Sequence, residues 1–281
     1  MEVAESLGTE ILGADSRQLY RGIPIGTAVP TQEMRRRVPH RFVECLDLDE
    51  YYSAALYEEQ ALKALEEVWR GSEYAVMCGG SMMYIDAVTR GIDTMPTISE
   101  EVRARVHNLY AQGGLTALHD TLELLDPVSL ERTDHANPRR LMHAIEITLQ
   151  AGVPCSSLRK GEAKERPFRI IKMAPSWSRA ELFDRINRRT DAMIEAGLEE
   201  EARRVLPLRH LNSLNAVGYR EMFAMFDGTM DRETAIARIA KNTRVYAKKQ
   251  MLWLSKDPGV HLLDPSGSMS EQALRIIKGA D

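Results

Sequence analysis

The feature that most constrains this fold is a pair of short apolar runs that each end abruptly in loop chemistry. Glu10-Ile11-Leu12-Gly13-Ala14 leads directly into Asp15-Ser16-Arg17-Gln18, and Tyr74-Ala75-Val76-Met77-Cys78 leads directly into Gly79-Gly80-Ser81. Between them, from Ala54 to about Arg70, Leu56, Ala61, Leu65 and Val68 recur near helical spacing. Short strands separated by a helix and closed by turn residues predict a parallel sheet with helices packed against it. Phe42-Val43-Glu44-Cys45-Leu46 reads as another strand, Arg169-Ile170-Ile171-Lys172-Met173-Ala174 as a later one, and Val260–Leu263 as a last one stopped by Asp264-Pro265. The chain opens with Met1-Glu2-Val3-Ala4-Glu5-Ser6-Leu7-Gly8, which reads as the end of an amphipathic helix closed by Gly8.

Residues 99–150 carry no strand signal. Ser99-Glu100-Glu101 starts a helix bearing Val102, Val106, Leu109 and Tyr110, and Asp126-Pro127 opens a further turn. Pro138 begins a third helix with Leu141, Ala144, Ile145 and Thr148 on one face. Residues 155–167 are polar and basic and read as a mobile loop, after which residues 178–255 are helical again. The expected fold class is α/β: a core in about residues 1–97 and 166–281, a helical insertion over about 98–165, and a helical C-terminal half.

Composition narrows the function by exclusion. The 281 residues are 44% hydrophobic and 28% charged, enough for a substantial core. A formal charge of −4 does not mark a nucleic-acid binder, although RNA contact needs only a local basic surface. Three dispersed cysteines and seven scattered histidines argue against a disulfide framework or a structural zinc site, and fit a reducing cytoplasm. No run reaches the length of a membrane span, and the N-terminus lacks signal-peptide character.

The candidate chemistry sits where the strands end. Ligands of open α/β sheets bind beyond the carboxyl ends of the strands. Asp15 at such an end can accept a proton, or it can cap the next turn together with Ser16. Arg17, Gln18 and Tyr20 add groups suited to a nucleobase, and Ile25-Gly26-Thr27-Ala28 forms a tight loop. Gly79 and Gly80 allow a backbone to approach a ligand, and Ser81 can cap a helix or bond a phosphate; the same turn also occurs as a plain strand-to-helix connector. Further on, Arg238, Lys241, Arg244 and Lys248 form one cationic helical stripe opposite Ile236, Ile239, Thr243, Tyr246 and Gln250. That stripe suits a phosphate backbone or, equally, a solvated face. The fourteen methionines could line a prenyl channel, or fill core gaps.

The ordered set Asp15-Ser16-Arg17-Gln18, Ile25-Gly26-Thr27, Gly79-Gly80-Ser81, Val217-Gly218-Tyr219-Arg220-Glu221 and Thr243-Arg244-Val245-Tyr246-Ala247-Lys248-Lys249-Gln250 resembles the tRNA dimethylallyltransferase (tRNA isopentenyltransferase) family over essentially the whole chain. The resemblance implies a P-loop-NTPase-like parallel sheet core. It implies transfer of a dimethylallyl group from its diphosphate to the N6 amine of the adenosine 3′ of the tRNA anticodon, with Mg²⁺ bound mainly through the diphosphate. By matching motif, Asp15, Ser81 and Arg103 take catalytic places, with Asp15 as general base. Asp15, Ser16, Arg17, Gln18, Arg139, Arg140, His143, Gly218, Tyr219, Arg220, Arg244 and Lys248 fall at tRNA-contacting positions, and Arg185 and Arg188 face the diphosphate. No protein metal ligand is implied. Ser81 replaces the usual threonine and His143 a usual arginine.

The family's phosphate loop, G-x-T-x-x-G-K-[S/T], precedes the strand that leads to Asp15, and no such motif occurs in these residues. The sequence therefore predicts a core lacking that loop and its strand, with exposed sheet edges: either the natural protein starts further upstream and is active, which is the favoured account, or these residues are the whole product, which would then be of reduced stability and unable to transfer the prenyl group. The anticodon stem-loop of tRNA and dimethylallyl diphosphate are the expected partners of a monomer. An adenylate dimethylallyltransferase, a small-molecule P-loop kinase and a non-catalytic tRNA-binding fragment are the alternatives.

Overall fold

The computed structural model describes residues 1–279. In chain order its elements are α1 (Glu2–Ser6), β1 (Ile11–Gly13), α2 (Pro24–Thr27), α3 (Gln32–Arg37), β2 (His40–Arg41), α4 (Ala54–Val68), β3 (Val76–Cys78) and α5 (Met82–Arg90). There follow α6 (Glu100–Leu125), α7 (Pro127–Arg132), α8 (Pro138–Ala151), α9 (Cys155–Leu158), β4 (Lys172–Pro175), α10 (Arg179–Glu195), α11 (Leu198–Val205), α12 (Tyr219–Phe226), α13 (Arg232–Leu254), β5 (Val260–Leu263) and α14 (Met269–Gly279).

β1 is the central strand of a three-stranded parallel sheet ordered β2-β1-β3, with Ile11 opposite both His40 and Val76 and Gly13 opposite Cys78. Its three residues are all buried, as a strand enclosed on both faces requires. Tyr57 of α4 donates its hydroxyl to the Gly13 carbonyl at 2.9 Å and stacks on Tyr84 of α5 with ring centroids 4.1 Å apart. One aromatic pair thus fixes two helices to the strand that carries Asp15. β4 and β5 form a separate parallel pair, Lys172 opposite Val260 through Pro175 opposite Leu263.

Two local expectations are corrected. The second strand is His40–Arg41 and not residues 42–46, because Phe42 (φ +62°) and Glu44 (φ +47°) adopt left-handed conformations that no strand tolerates. Residues 44–46 instead bond the segment after Asp15: Glu44 N–H donates to Gln18 O, and Cys45 and Leu46 N–H donate to Leu19 O. The segment expected to be a polar loop from Cys155 begins with α9, whose Cys155 is wholly buried. Asp126 causes this: its buried carboxylate accepts the Ser129 N–H and both the N–H and the hydroxyl of Ser156, anchoring α9 at its start.

The chain divides into two compact units, residues 1–89 with the chain from Arg166 on, and residues 90–165. The N-terminal boundary thus falls earlier than residue 97. Residues 90–98 belong with the insertion because Lys164 N–H donates to Arg90 O at 2.7 Å and Gly161 N–H reaches the Asp93 carboxylate. Within the insertion, Val106, Leu118 and Leu122 of α6 and Leu141 and Ile145 of α8 form one apolar cluster, and α6 bends at Gly114 (φ +60°, ψ −150°). The core of the larger unit gathers Leu12, Leu19, Ile23, Leu65, Leu198, Leu214 and Met222 around the tyrosine pair. No helix of the described residues is long and apolar enough to cross a membrane.

Candidate active site

Two turns meet at the carboxyl ends of β1 and β3. Ala14 donates its N–H to Cys78 O at 2.8 Å, and Ser81 donates its N–H to Ala14 O at 3.0 Å. A Cβ on Gly79 would stand 2.3 Å from the carbonyl carbon and oxygen of Ala14, so only glycine allows this approach. Ser81, nearly buried, accepts the Ser16 N–H at 2.8 Å and donates to the Ser16 hydroxyl at 3.1 Å. The serine expected to cap a helix or hold a phosphate is therefore bonded across to the loop after β1.

Asp15 takes the turn-capping place. Its Oδ1 accepts the backbone N–H of Arg17 at 2.8 Å and of Gln18 at 3.4 Å, which is a turn-capping role. Its Oδ2 accepts no hydrogen bond among the described residues, and the side chain is half-buried. The next two side chains brace the loop: Arg17 donates to the carbonyls of Asn212 (2.7 Å) and Ser213 (3.2 Å), and Gln18 to those of Thr27 (3.1 Å) and Ala28 (2.9 Å).

The far side of that loop is held by a carboxylate whose importance no motif signalled. Glu201 of α11 is wholly buried and accepts the N–H of Ile25 at 2.9 Å, the N–H of Gly26 at 2.8 Å and the Tyr219 hydroxyl at 2.6 Å. Burial, with the Glu201 charge beside it, pushes the Tyr219 hydroxyl far above its usual range. Tyr219 is likewise wholly buried, also donates to Ile23 O, and fills the space where a Cβ of Gly26 would lie. This corrects the reading of Tyr219 as an RNA contact: its surface is spent on the loop. Gly218 is also buried, a turn residue (φ +102°) whose N–H caps onto Glu221, while Arg220 is exposed.

α13 closes the third side. Tyr246 Oη and Gln250 Nε2 both donate to Gly80 O at 2.9 Å, and Trp253 donates its indole N–H to Asp86 of α5 at 3.0 Å. Burial, then the Asp15 charge, raises the Tyr246 hydroxyl above its ordinary value, so it stays a donor. On its outer side Arg238, Lys241, Lys248 and Lys249 are exposed. Arg244 is partly drawn in, bonding Asn187 Oδ1 at 2.6 Å, and both it and Lys248 lie 5.7 Å from the Phe183 ring centroid.

Arg185 on α10 stacks on Trp177 at 4.3 Å, and Arg188 pairs with Asp184 at 2.6 Å in the open. Arg103 on α6 and Arg139, Arg140 and His143 on α8 are exposed residues of the insertion unit, His143 with Nδ1 3.6 Å from Glu146. Within the larger unit a cavity of about 510 Å³ is lined by Met77 and Cys78 of β3, Met173 of β4, Met82, Trp177 and Met251. Among the described residues β3 pairs only with β1 and β4 only with β5, so each has an edge unpaired by them, and both strands line this cavity. Among the described residues no three His, Cys, Asp or Glu side chains gather as a metal ligand set.

A parallel α/β core with a carboxylate and a hydroxyl at adjoining strand ends, flanked by a cationic helix, places this chain among the open-sheet α/β proteins, which bind their ligands beyond the carboxyl ends of the strands. The model of the family described as IPP transferase matches residues 18–257, and the chain belongs to that family. It is 51% identical over 265 residues to tRNA dimethylallyltransferase 2 of Porphyromonas gingivalis, a match covering 94% of this chain and 88% of that protein. The full-length tRNA isopentenylpyrophosphate transferase of Bacillus halodurans superposes with a TM-score of 0.69 at 31% identity, covering 98% of this chain and 88% of that one. A eukaryotic dimethylallyltransferase acting on tRNA superposes with a TM-score of 0.75 over 94% of this chain and 69% of that one; at 21% identity this likeness speaks for the fold alone.

Proposed function

We propose that this chain carries the base and the tRNA-contacting residues of an enzyme that transfers a dimethylallyl group from dimethylallyl diphosphate to the N6 amine of the adenosine 3′ of the tRNA anticodon, the transfer itself needing a phosphate loop ahead of these residues. The observation that carries this is Asp15, whose Oδ1 is consumed by the turn while Oδ2 accepts no hydrogen bond among the described residues, and whose neighbour Ser16 is bonded to Ser81. An adenine amine is weakly nucleophilic because its lone pair is delocalised into the ring. As that lone pair forms the new bond to the allylic carbon, the carbon–oxygen bond to the diphosphate breaks and the amine proton passes to Asp15. The adenosine enters between Asp15 and the Gly79–Ser81 turn, unstacked from its neighbours. Arg17 and Gln18 hold the loop that shapes this entrance, and the exposed cations of α13 meet the phosphate backbone.

Arg185 and Arg188 are assigned to the departing diphosphate, the exposed guanidinium of Arg188 exchanging Asp184 for phosphate oxygens. Mg²⁺ fits as a companion of the diphosphate, supplying charge neutralisation through phosphate oxygens. Arg103, Arg139, Arg140 and His143 are assigned to tRNA contact, or in the case of Arg103 to catalysis, from the insertion unit. The methionine-rich cavity along the β3 and β4 edges suits the strand that would carry a phosphate loop: one parallel strand there would join the two sheets. The protein works as a monomer in the cytoplasm.

The test is transfer of labelled dimethylallyl from its diphosphate to unmodified tRNA in the presence of excess AMP. It is run with the 281-residue chain and with the same chain preceded by a G-x-T-x-x-G-K-[S/T] segment. The expected label appears in tRNA as N6-modified adenosine and only with the extended chain. Label in AMP makes this an adenylate dimethylallyltransferase. Salt-dependent tRNA binding without transfer by either chain makes it an RNA-binding module.

A further inference from the structure

The geometry points to Tyr246 and Gln250 as positioning residues through which the cationic helix α13 sets the turn that frames Asp15. The inference rests on the proposed tRNA reaction for its purpose, and on the hydrogen-bond geometry for its substance. Gly80 O is a backbone acceptor with two lone pairs, and α13 fills both: Tyr246 Oη and Gln250 Nε2 each donate at 2.9 Å. A Cβ at position 80 would lie 2.3 Å from Gln250 Nε2, so the amide is seated against the turn with no room to spare.

From Gly80 the restraint passes by the peptide link to Ser81, across hydrogen bonds to Ala14 and Ser16, and by their peptide links to Asp15. Ser81 N–H donates to Ala14 O, and the Ser81 hydroxyl binds both the N–H and the hydroxyl of Ser16. Asp15 lies between those two bonded neighbours. If Gly80 tilts, Ser81 tilts, and the residues on either side of Asp15 follow. Gly79 cannot absorb the movement, because it is already packed against the Ala14 backbone.

The opposite face of the same helix supplies the other half. Tyr246, itself partly exposed, and Gln250 are four residues apart and share one face of α13, whereas Lys241 and Lys248 lie on the opposite, exposed one. A rigid helix with a phosphate-binding face outward and two hydrogen-bond donors inward couples occupancy of the first to the setting of the second. A polyanion on the outer face holds α13 in place and thereby tightens the Gly80 contact. Trp253, bonded to Asp86 one turn further along, fixes the register so that the two donors meet the carbonyl.

A residue that merely helped α13 to pack would change stability alone. A positioning pair changes the exchange of the Ser81 amide, and does so without loss of tRNA affinity. The experiment measures hydrogen exchange at residues 79–84 and 14–18, and tRNA affinity by fluorescence anisotropy. It compares the full chain with Tyr246→Phe, Gln250→Ala and an outer-face control, Lys241→Ala. We expect Tyr246→Phe and Gln250→Ala each to raise exchange at Ser81 by about three- to tenfold, the range that one net neutral hydrogen bond gives. Their tRNA affinity stays within about twofold of the parent, while Lys241→Ala weakens tRNA and leaves Ser81 exchange unchanged. Saturating tRNA should protect Ser81 in the parent and less in Gln250→Ala.

Unchanged Ser81 exchange in both inner-face variants overturns the inference. So does a loss of tRNA affinity matching that of Lys241→Ala, because it shows the whole helix displaced. If the parent itself binds no tRNA, it is the tRNA reading that fails, and the exchange result in the free protein still decides the positioning role.

Discussion

Glu201 offers the sharpest quantitative test of how the site is held. Replacing it by alanine leaves the half-buried N–H groups of Ile25 and Gly26 without their acceptor, at about 1–2 kcal/mol each. The Tyr219 hydroxyl keeps Ile23 O at 3.1 Å and loses only one of its two partners, about 1 kcal/mol. Against this, the variant no longer confines a carboxylate with no cation bonded to it, which returns part of the cost. The expected net destabilisation is about 2–4 kcal/mol for Glu201→Ala. Glu201→Gln is expected to cost about 2 kcal/mol, since its amide keeps one acceptor but turns an N–H toward a donor. Tyr219→Phe should cost about 1–2 kcal/mol by itself and about 1 kcal/mol less in the alanine background, because the two residues share a bond. The assay is urea unfolding followed by tryptophan fluorescence, with hydrogen exchange read at residues 25 and 26. A Glu201→Ala protein within about 0.5 kcal/mol of the parent, with those two amides still protected, would refute the reasoning.

Three further outcomes follow from the same structure. Gly79→Ala must part the turn from the Ala14 backbone, costing about 1–3 kcal/mol; calorimetry should show Tm lowered by several degrees and exchange should rise at Ser81. Asp126 titrates below its ordinary range: burial alone would raise it, but the hydrogen bonds from Ser129 and Ser156 outweigh burial. Because its folded value is the lower one, its contribution is present above the ordinary carboxylate value and is lost as pH falls through the folded value. Unfolding of the insertion, followed by exchange at Ser156, should therefore become easier below about pH 4 in the parent and much less so in Asp126→Asn. Arg238→Ala and Lys241→Ala should each reduce by about 1 the slope of log affinity for tRNA against log salt concentration.

The parts legible in the sequence were those carried by periodicity and by turn chemistry. Ile11–Gly13, Val76–Cys78, Lys172–Pro175 and Val260–Leu263 lie in or at the ends of the apolar runs, and Ala54–Val68 follows the spacing of its leucines. The Asp15 and Gly79 turns were visible because a strand that stops on such residues leaves few alternatives. What escaped were properties decided by distant neighbours. Nothing local marks Phe42 and Glu44 as left-handed; their conformation comes from bonding to Gln18 and Leu19. Tyr219 stands next to the charged Arg220 and Glu221, yet its hydroxyl is drawn inward to Glu201. A signal for Glu201 did exist: Leu198, Ala202 and Val205 are buried, and position 201 shares their helical face. Gln250 was visible on the face opposite the cations, but no sequence pattern names Gly80 as its partner.

The central claim is that Asp15 is the base for a prenyl transfer to tRNA, and one comparison tests it most directly. Single-turnover transfer of labelled dimethylallyl to unmodified tRNA is measured for the extended chain and for its Asp15→Ala variant, with tRNA affinity measured alongside. The account predicts a rate lower by about 10²–10⁴-fold with affinity changed by less than about twofold. A variant that still transfers within about tenfold of the parent would contradict it, and the proton would have to leave by another group.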